Sequence, residues 1–343
     1  MKFIHCSDLH LDASLDSKLP PSKAKERRGE LLTAFSRLAQ VAEDNGVTAV
    51  IIAGDLFDRP TVTVKARRFV LETVAKHSSV DFLLLTGNHD EKTLSEIDVL
   101  PENLHIFDRE NISYSYGNVT VTAAYPDEAL SAIDRERLNI VVMHGAVGSE
   151  INLERYKEKG IDYLALGHYH DFSVRELDRR GVYAYSGCLE GRGFDECGEK
   201  GYVMLDTDGK RISYEFVGSS IRRVLDIPVD MSDCTGLAEQ EKKIKNALDG
   251  VSRSDMVRLT VIGSYELGRE KFYENIVRGL QDDFFYIEYK DVSTLKICPE
   301  DYIGDISLKG EFIRLVMDEI EDEAERSRVI SLGIKALRGD ELI

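Results

Sequence analysis

A chain of 343 residues with 43% hydrophobic content can bury one large core and a smaller second one, which excludes a single small domain. Its net charge of −18 is spread along the chain, −10 over residues 1–220 and −8 over 221–343. That excludes a sequence-blind basic nucleic-acid coat, while a local phosphate site built on bound cations stays open. Five cysteines without a CxxC pair argue against a disulfide framework or a zinc knuckle. No segment has signal-peptide character or the roughly eighteen apolar residues of a membrane span, so the expectation is a cytoplasmic protein with reduced thiols and no membrane partner.

In chain order, "KFIHC" predicts a first strand. Residues 24–45 then place Leu31, Leu32, Phe35, Leu38 and Val41 on one helical face, and Asn45-Gly46 is the stop signal. "AVIIAG" is a second strand and residues 63–77 a second helix. The run Leu83, Leu84, Leu85 suits a strand covered on both faces, and it halts at "GNHD". "NIVVMHG" and "YLALGHYH" repeat that pattern of apolar strand and polar end, and the alternation predicts an α/β domain. Residues 172–218 carry turn signals without helical spacing and predict a β-rich second sheet. Residues 222–293 alternate strand and helix as a compact βαβαβ module, so a boundary is expected near 220. Past 305 the chain becomes helical and acidic, with six carboxylates in "DEIEDEAE" at 318–325. The expected domains are therefore 1–219, 220–304 and 305–343.

Five clusters sit at predicted strand ends: "SDLHLD" from 7, "GDLFDRP" from 54, "GNHD" from 87, "MHG" from 143 and "GHYH" from 167. In open α/β sheets ligands bind at the carboxyl ends of strands. Asp8 and His10, two apart, can point the same way, and His168 and His170 repeat the spacing. One Asp-x-His is ordinarily a polar loop, whereas five such clusters at five strand ends make a site. Carboxylate, amide oxygen and imidazole without thiolate suit a pair of divalent ions such as manganese, iron or zinc. Asp8 and Asp55 compensate only half the charge of two such ions, leaving a positive hole that favours phosphate. A divalent pair lowers the pKa of water from about 15.7 to about 7 and aligns attacking and leaving oxygens, so hydrolysis of a phosphoester is the expected reaction.

The order Asp-x-His, Gly-Asp-x-x-Asp, Gly-Asn-His-Asp, His-Gly and Gly-His-x-His over residues 7–170 resembles the calcineurin-like metallophosphoesterase superfamily. Within it, "SDLHLD", "GDLFDRP" and "YSGCLEGRGFDECGEKGY" resemble SbcD-type DNA repair exonucleases of the YhaO-like branch. Ser186 stands where that pattern has proline, and Asp12 where glycine often follows. The resemblance implies a four-layer α/β/β/α sandwich with a small α/β cap and C-terminal helices. It implies that Asp8, His10 and His170 hold one ion, that Asp55 bridges, and that Asn88, His144 and His168 hold the other. Manganese is the first expectation for the two divalent ions, with iron, zinc or magnesium as alternatives. His89 would assist cleavage at the phosphate without binding metal, oriented by Asp90. The implied function is a manganese-preferring DNA nuclease, a 3′ to 5′ exonuclease on duplex ends and a single-strand endonuclease. It would work as a homodimer beside an SbcC-like coiled-coil ATPase.

Several residues read either way. Asp58 is expected to orient ligands. Arg59 serves phosphate contact or a surface ion pair equally well, and Arg192 and Lys200 either meet a DNA backbone or are simply solvated. His5, Cys6 and Cys188 are expected in the core, and His77 and His105 on the surface. Val64, Phe69, Val70, Ile97 and Leu100 could leave apolar surface for a dimer. Residues 308–338 predict two helices, one striped by Phe312, Leu315, Val316 and Ile320, the other by Val329, Ile330, Ile334 and Leu337. They dock either on the ATPase or on their own domain. The rival functions are a phosphodiesterase for cyclic nucleotides or other small phosphoesters and a metal-stabilised scaffold without turnover. A second module carrying Tyr286 and Tyr289 favours a long polymer.

Overall fold

The computed structural model describes residues 1–16, 18–58, 62–86, 99–108, 112–126, 130, 133–266, 269–296, 302 and 304–338. They divide into two compact units, Met1–Val224 and Leu225–Ile343. The first runs β1(Lys2–Cys6), α1(Pro21–Asp44), β2(Val47–Ala53), α2(Val64–Lys76), β3(Asp81–Leu85), β4(Leu104–Ile106), β5(Ser113–Tyr116), β6(Val119–Ala123), β7(Leu138–His144), β8(Tyr163–Gly167), β9(Ser173–Glu176), β10(Val182–Tyr185), β11(Gly201–Thr207) and β12(Ile212–Gly218).

Two six-stranded sheets form, ordered β12-β11-β1-β2-β3-β4 and β5-β6-β7-β8-β10-β9. Their central strands are parallel: β1 with β2, β2 with β3, β6 with β7, β7 with β8. Strands covered on both faces need no polar alternation, which is why β2, β3 and β8 read as nearly unbroken apolar runs. Between the sheets lies a core of Phe3, Ala49, Ile51, Leu83, Val121, Ile140, Val142, Ala165 and Val203. α1 and α2 pack together beside β2. α1 begins with Pro21 at its first turn, buries Leu31, Phe35, Leu38 and Ala42, and ends at Asn45 before Gly46 at φ +63°. The outer face of the second sheet is covered by a layer that includes Ala124, Ile151, Tyr156 and Ile161. Among the described residues this layer is helical only in the 3₁₀ turn Leu153–Arg155, because Gly145, Gly148 and Gly160, all at positive φ, break it into turns.

His77, expected on the surface, is 1% exposed. Its Nδ1 lies 2.8 Å from Glu43 Oε2, a partner too distant in sequence for local spacing to reveal. Val70, a candidate for dimer surface, is spent in the core, while Val64 stays exposed; Ile97 lies outside the described residues.

The second unit continues with β13(Val224–Asp230), α3(Leu237–Ala247), β14(Met256–Ile262), β15(Ser264–Glu266), α4(Tyr273–Gly279), β16(Tyr286–Asp291), β17(Thr294–Lys296), α5(Leu308–Glu319) and α6(Glu323–Arg338). Its larger sheet is ordered β13-β14-β16, with β14 and β16 parallel, around Ile244, Val257, Leu259, Tyr273 and Ile287, and β15 pairs with β17 in a second. The terminal helices form a separate cluster in which Ile313, Val316, Ile330 and Ile334 close on Leu295 of β17. Leu315 and Leu337, expected on the two apolar stripes, face outward while Val316, Ile330 and Ile334 of the same stripes pack within the cluster.

Candidate metal centre

Asp8 and His10 follow β1, Asp55 follows β2, His144 ends β7, and His168 and His170 follow β8. Because β1 and β2 lie in one sheet and β7 and β8 in the sheet facing it, these carboxyl ends meet. The backbone is unusual there. Asp8 (φ +52°), His10 (φ +43°), Asp55 (φ +52°) and His168 (φ +116°) all occupy the left-handed region, at about 1–3 kcal/mol each. Hydrogen bonds between the two loops hold that strain, from Asp8 N to Gly54 O at 3.1 Å and from His10 N to Asp55 O at 3.0 Å.

His144 Nδ1 bonds Ala53 O at 2.9 Å. A carbonyl only accepts, so Nδ1 carries the proton and Nε2 the lone pair. That Nε2 is buried without a hydrogen-bond partner, 3.5 Å from Asp55 Oδ2. Two glycines make room for the ring. A Cβ on Gly54 would lie 2.1 Å from His144 Nδ1, and one on Gly167 would lie 1.9 Å from Ala53 O.

On the other side, His10 Nε2 and His170 Nε2 are 3.3 Å apart. His170 Nε2 is 3.9 Å from Asp8 Oδ1, and His10 Nε2 is 3.9 Å from Asp55 Oδ2. Each ring is backed by a carboxylate, His170 Nδ1 by Glu196 Oε1 at 2.9 Å and His10 Nδ1 by Asp58 Oδ1 at 3.3 Å. Burial would raise the Glu196 carboxyl, but hydrogen bonds from His170 and Arg192 and the charge of Arg192 outweigh it and hold it well below the usual range. Glu196 is therefore an acceptor, and His170 presents its Nε2 lone pair inward. Asp8 accepts from Ser7 Oγ at 2.5 Å and from His168 N at 3.0 Å.

Ligand atoms of Asp8, His10 and His170, and of Asp8, Asp55 and His144, lie within 4.8 Å of one another in each group. The His168 ring stands 5.8 Å from that of His144, at 85° to it. Inward lone pairs backed by outer acceptors are the arrangement that orients imidazoles for a metal, and the donor set is that of hard or borderline divalent ions. The residues present fit a pair of such ions.

Six of the sequence candidates are thus brought together: Asp8, His10, Asp55, His144, His168 and His170. Asn88, His89, Asp90 and Arg59 lie outside the described residues. The reading of Arg192 and Lys200 as nucleic-acid contacts needs correction. Lys200 is 2% exposed and donates to His170 O at 2.9 Å and to Asp171. Arg192 donates to Asp58 Oδ1 at 2.8 Å and to Glu196 Oε1 at 2.6 Å. Both point inward because the loop places the carboxylates Glu196 and Asp58 and the His170 carbonyl beside them. Glu196 itself escaped the sequence reading; its signal was a lone carboxylate in a glycine-rich loop after the ligand histidines. Asp58 stands where an orienting residue was expected.

The family model for calcineurin-like phosphoesterase matches residues 1–172. The metallophosphoesterase YhaO of Bacillus subtilis is 27% identical over 63% of this chain and 60% of its own length. The DNA double-strand break repair protein Mre11 of Sulfolobus acidocaldarius is 24% identical over 95% of this chain and 96% of its own. The Mre11 of Archaeoglobus fulgidus is 22% identical over 94% and 82%. Among solved structures, a dimetal phosphatase from Danio rerio covers 64% of this chain and 96% of its own at 11% identity and a TM-score of 0.43, too remote to bear on function. No helix among the described residues is long and apolar enough to cross a membrane.

Proposed function

We propose that this chain, which belongs to the calcineurin-like phosphoesterase family and so to hydrolases of phosphoester bonds, is a DNA nuclease with a two-ion centre. The observation that carries the two-ion reading is that a single oxygen, Asp55 Oδ2, lies 3.5 Å from His144 Nε2 and 3.9 Å from His10 Nε2. One carboxylate therefore faces the imidazoles of both groups, as a bridge between two ions would. Asp8, His10 and His170 would hold one ion, and His144 and His168, with Asn88, the other. When bound, the pair supplies Lewis-acid stabilisation of phosphoryl charge and a water of lowered pKa.

The protein's own groups do the rest. Ala53 O and Glu196 fix the tautomers of His144 and His170, and Asp58 Oδ1 stands 3.3 Å from His10 Nδ1. His89, placed by resemblance, would give or take a proton at the phosphate, with Asp90 orienting it. Similarity to a DNA double-strand break repair protein along 95% of the chain supports DNA as substrate, while 3′ to 5′ exonuclease action, single-strand endonuclease action and manganese as the metal rest on the resemblance of the motifs to SbcD-type exonucleases. That motif resemblance also implies a coiled-coil ATPase partner and a homodimer. The outward Leu308, Leu315, Leu332 and Leu337 on α5 and α6 would serve the ATPase, and the exposed Val64 of α2 the dimer.

The test is to incubate the manganese-loaded protein with labelled duplex DNA, labelled single-stranded DNA and bis-p-nitrophenyl phosphate side by side. Cleavage of both DNAs is expected. Hydrolysis of the small ester alone would favour the small-phosphoester reading.

A further inference from the structure

Beside the candidate centre, on the outer face of the second sheet, lies a cavity of about 430 Å³ whose wall includes the ligand candidate His170. Strand register builds its floor. β9 is the edge strand and pairs antiparallel with β10, so that Arg175 lies opposite Tyr183 and Ser173 opposite Tyr185. Directly opposed residues share a face, and these four line one side of the cavity. Tyr185 is 3% exposed, and its hydroxyl is committed, donating to Gly145 O and accepting from Val147 N, both at 2.9 Å. Its ring is left to form an apolar wall. Tyr169, between the two histidines of "GHYH", is 47% exposed and stands edge-to-face on Tyr185 at 4.8 Å.

The polar groups of this cavity are equally selective. Arg175 is exposed and has no hydrogen bond or ion pair among the described residues, in a chain of net charge −18 where most arginines near the centre are paired. Asp171, the acidic group of the lining, is already paired with Lys200. What remains is a half-open aromatic slot, a serine hydroxyl and one unpaired guanidinium, opening against a phosphoester centre.

We propose that this cavity is a nucleobase subsite. It takes the unstacked base next to the scissile phosphate against the ring of Tyr169, with Ser173 at the base edge and Arg175 on the neighbouring phosphate. A base held in a duplex cannot enter without unpairing, so the subsite selects single strands and frayed ends. This deepens the DNA-nuclease reading and rests on it.

The experiment mixes manganese-loaded protein in a stopped-flow cell with single-stranded DNA carrying 2-aminopurine, whose fluorescence falls on stacking, and reads the signal before cleavage. Affinity is followed by anisotropy across a salt series. The unaltered protein is expected to quench the probe. Tyr169→Phe should keep the quench, while Tyr169→Ala should abolish it and weaken binding roughly tenfold. Arg175→Ala should lower the slope of log affinity against log salt by about 0.7. If Tyr169→Ala does not fold, Arg175→Ala and Ser173→Ala on the edge strand carry the test, and wild-type affinity and salt slope in both would overturn the proposal. DNA bound and cleaved without any quench overturns the subsite alone. No binding of DNA by the unaltered protein overturns the nuclease reading and the subsite with it.

Discussion

His170 Nδ1 donates to Glu196 Oε1 at 2.9 Å, and Arg192 closes on the same carboxylate. This bond holds the imidazole so that its other nitrogen faces Asp8. Glu196→Ala should therefore weaken divalent-metal affinity about 10- to 100-fold, as loss of an orienting partner does. Glu196→Gln should recover part of that loss, since its amide oxygen still accepts from Nδ1. Isothermal titration with manganese checks both variants, and unchanged affinity in Glu196→Ala would remove Glu196 from the site.

His89 is expected to act on the phosphate and not on metal. His89→Ala should keep its full metal content yet cleave bis-p-nitrophenyl phosphate about 10² to 10⁴ times more slowly, the usual worth of a positioned proton transfer. Metal content falling in step with activity would make His89 a ligand.

Acid sensitivity should trace to His5. Its Nδ1 lies 3.0 Å from Tyr163 Oη, and burial holds its pKa down to about 3 against a smaller opposing effect of the Leu166 backbone. In the unfolded chain the same imidazole titrates near 6.5. Between those values the unfolded state binds a proton that the folded state refuses, so stability is lost as pH falls from about 6.5 toward 3. The slope approaches about 1.4 kcal/mol per pH unit below the unfolded value, which amounts to roughly 2 kcal/mol between pH 6.5 and 4.5. Urea unfolding of wild type and His5→Asn across that range should give a shallower slope for the variant; parallel slopes would contradict the assignment.

The terminal helices give a paired prediction. Ile313 is fully buried, whereas Leu315, two residues on, is 59% exposed. Ile313→Ala should cost about 2–5 kcal/mol and Leu315→Ala no more than about 0.5. Denaturant titration separates them. Equal effects would mean that α5 does not pack as described.

The legible parts of this protein were those set by local pattern. Leu83, Leu84 and Leu85 read as a buried strand because parallel strands lack polar alternation, and Asp8, His10, Asp55 and the "GHYH" histidines read as a site because ligating groups recur where strands end. What depended on partners far along the chain did not show. His77 is buried through Glu43, and Lys200 is turned inward by the His170 carbonyl and Asp171. Helical spacing placed Leu315 and Val316 on one stripe, but only packing against Leu295 decides which of the two is covered. Glu196 was missed because a carboxylate in a glycine-rich loop carries no periodic signal.

The central claim is a pair of ions shared through Asp55. Anomalous diffraction from crystals grown with manganese addresses it most directly, applied to wild type and to Asp55→Ala. The account predicts two peaks in wild type, roughly 3.5–4 Å apart, one among Asp8, His10 and His170 and one beside His144 and His168, with at least one peak lost in Asp55→Ala. A single peak in wild type, or two peaks retained without Asp55, would contradict it.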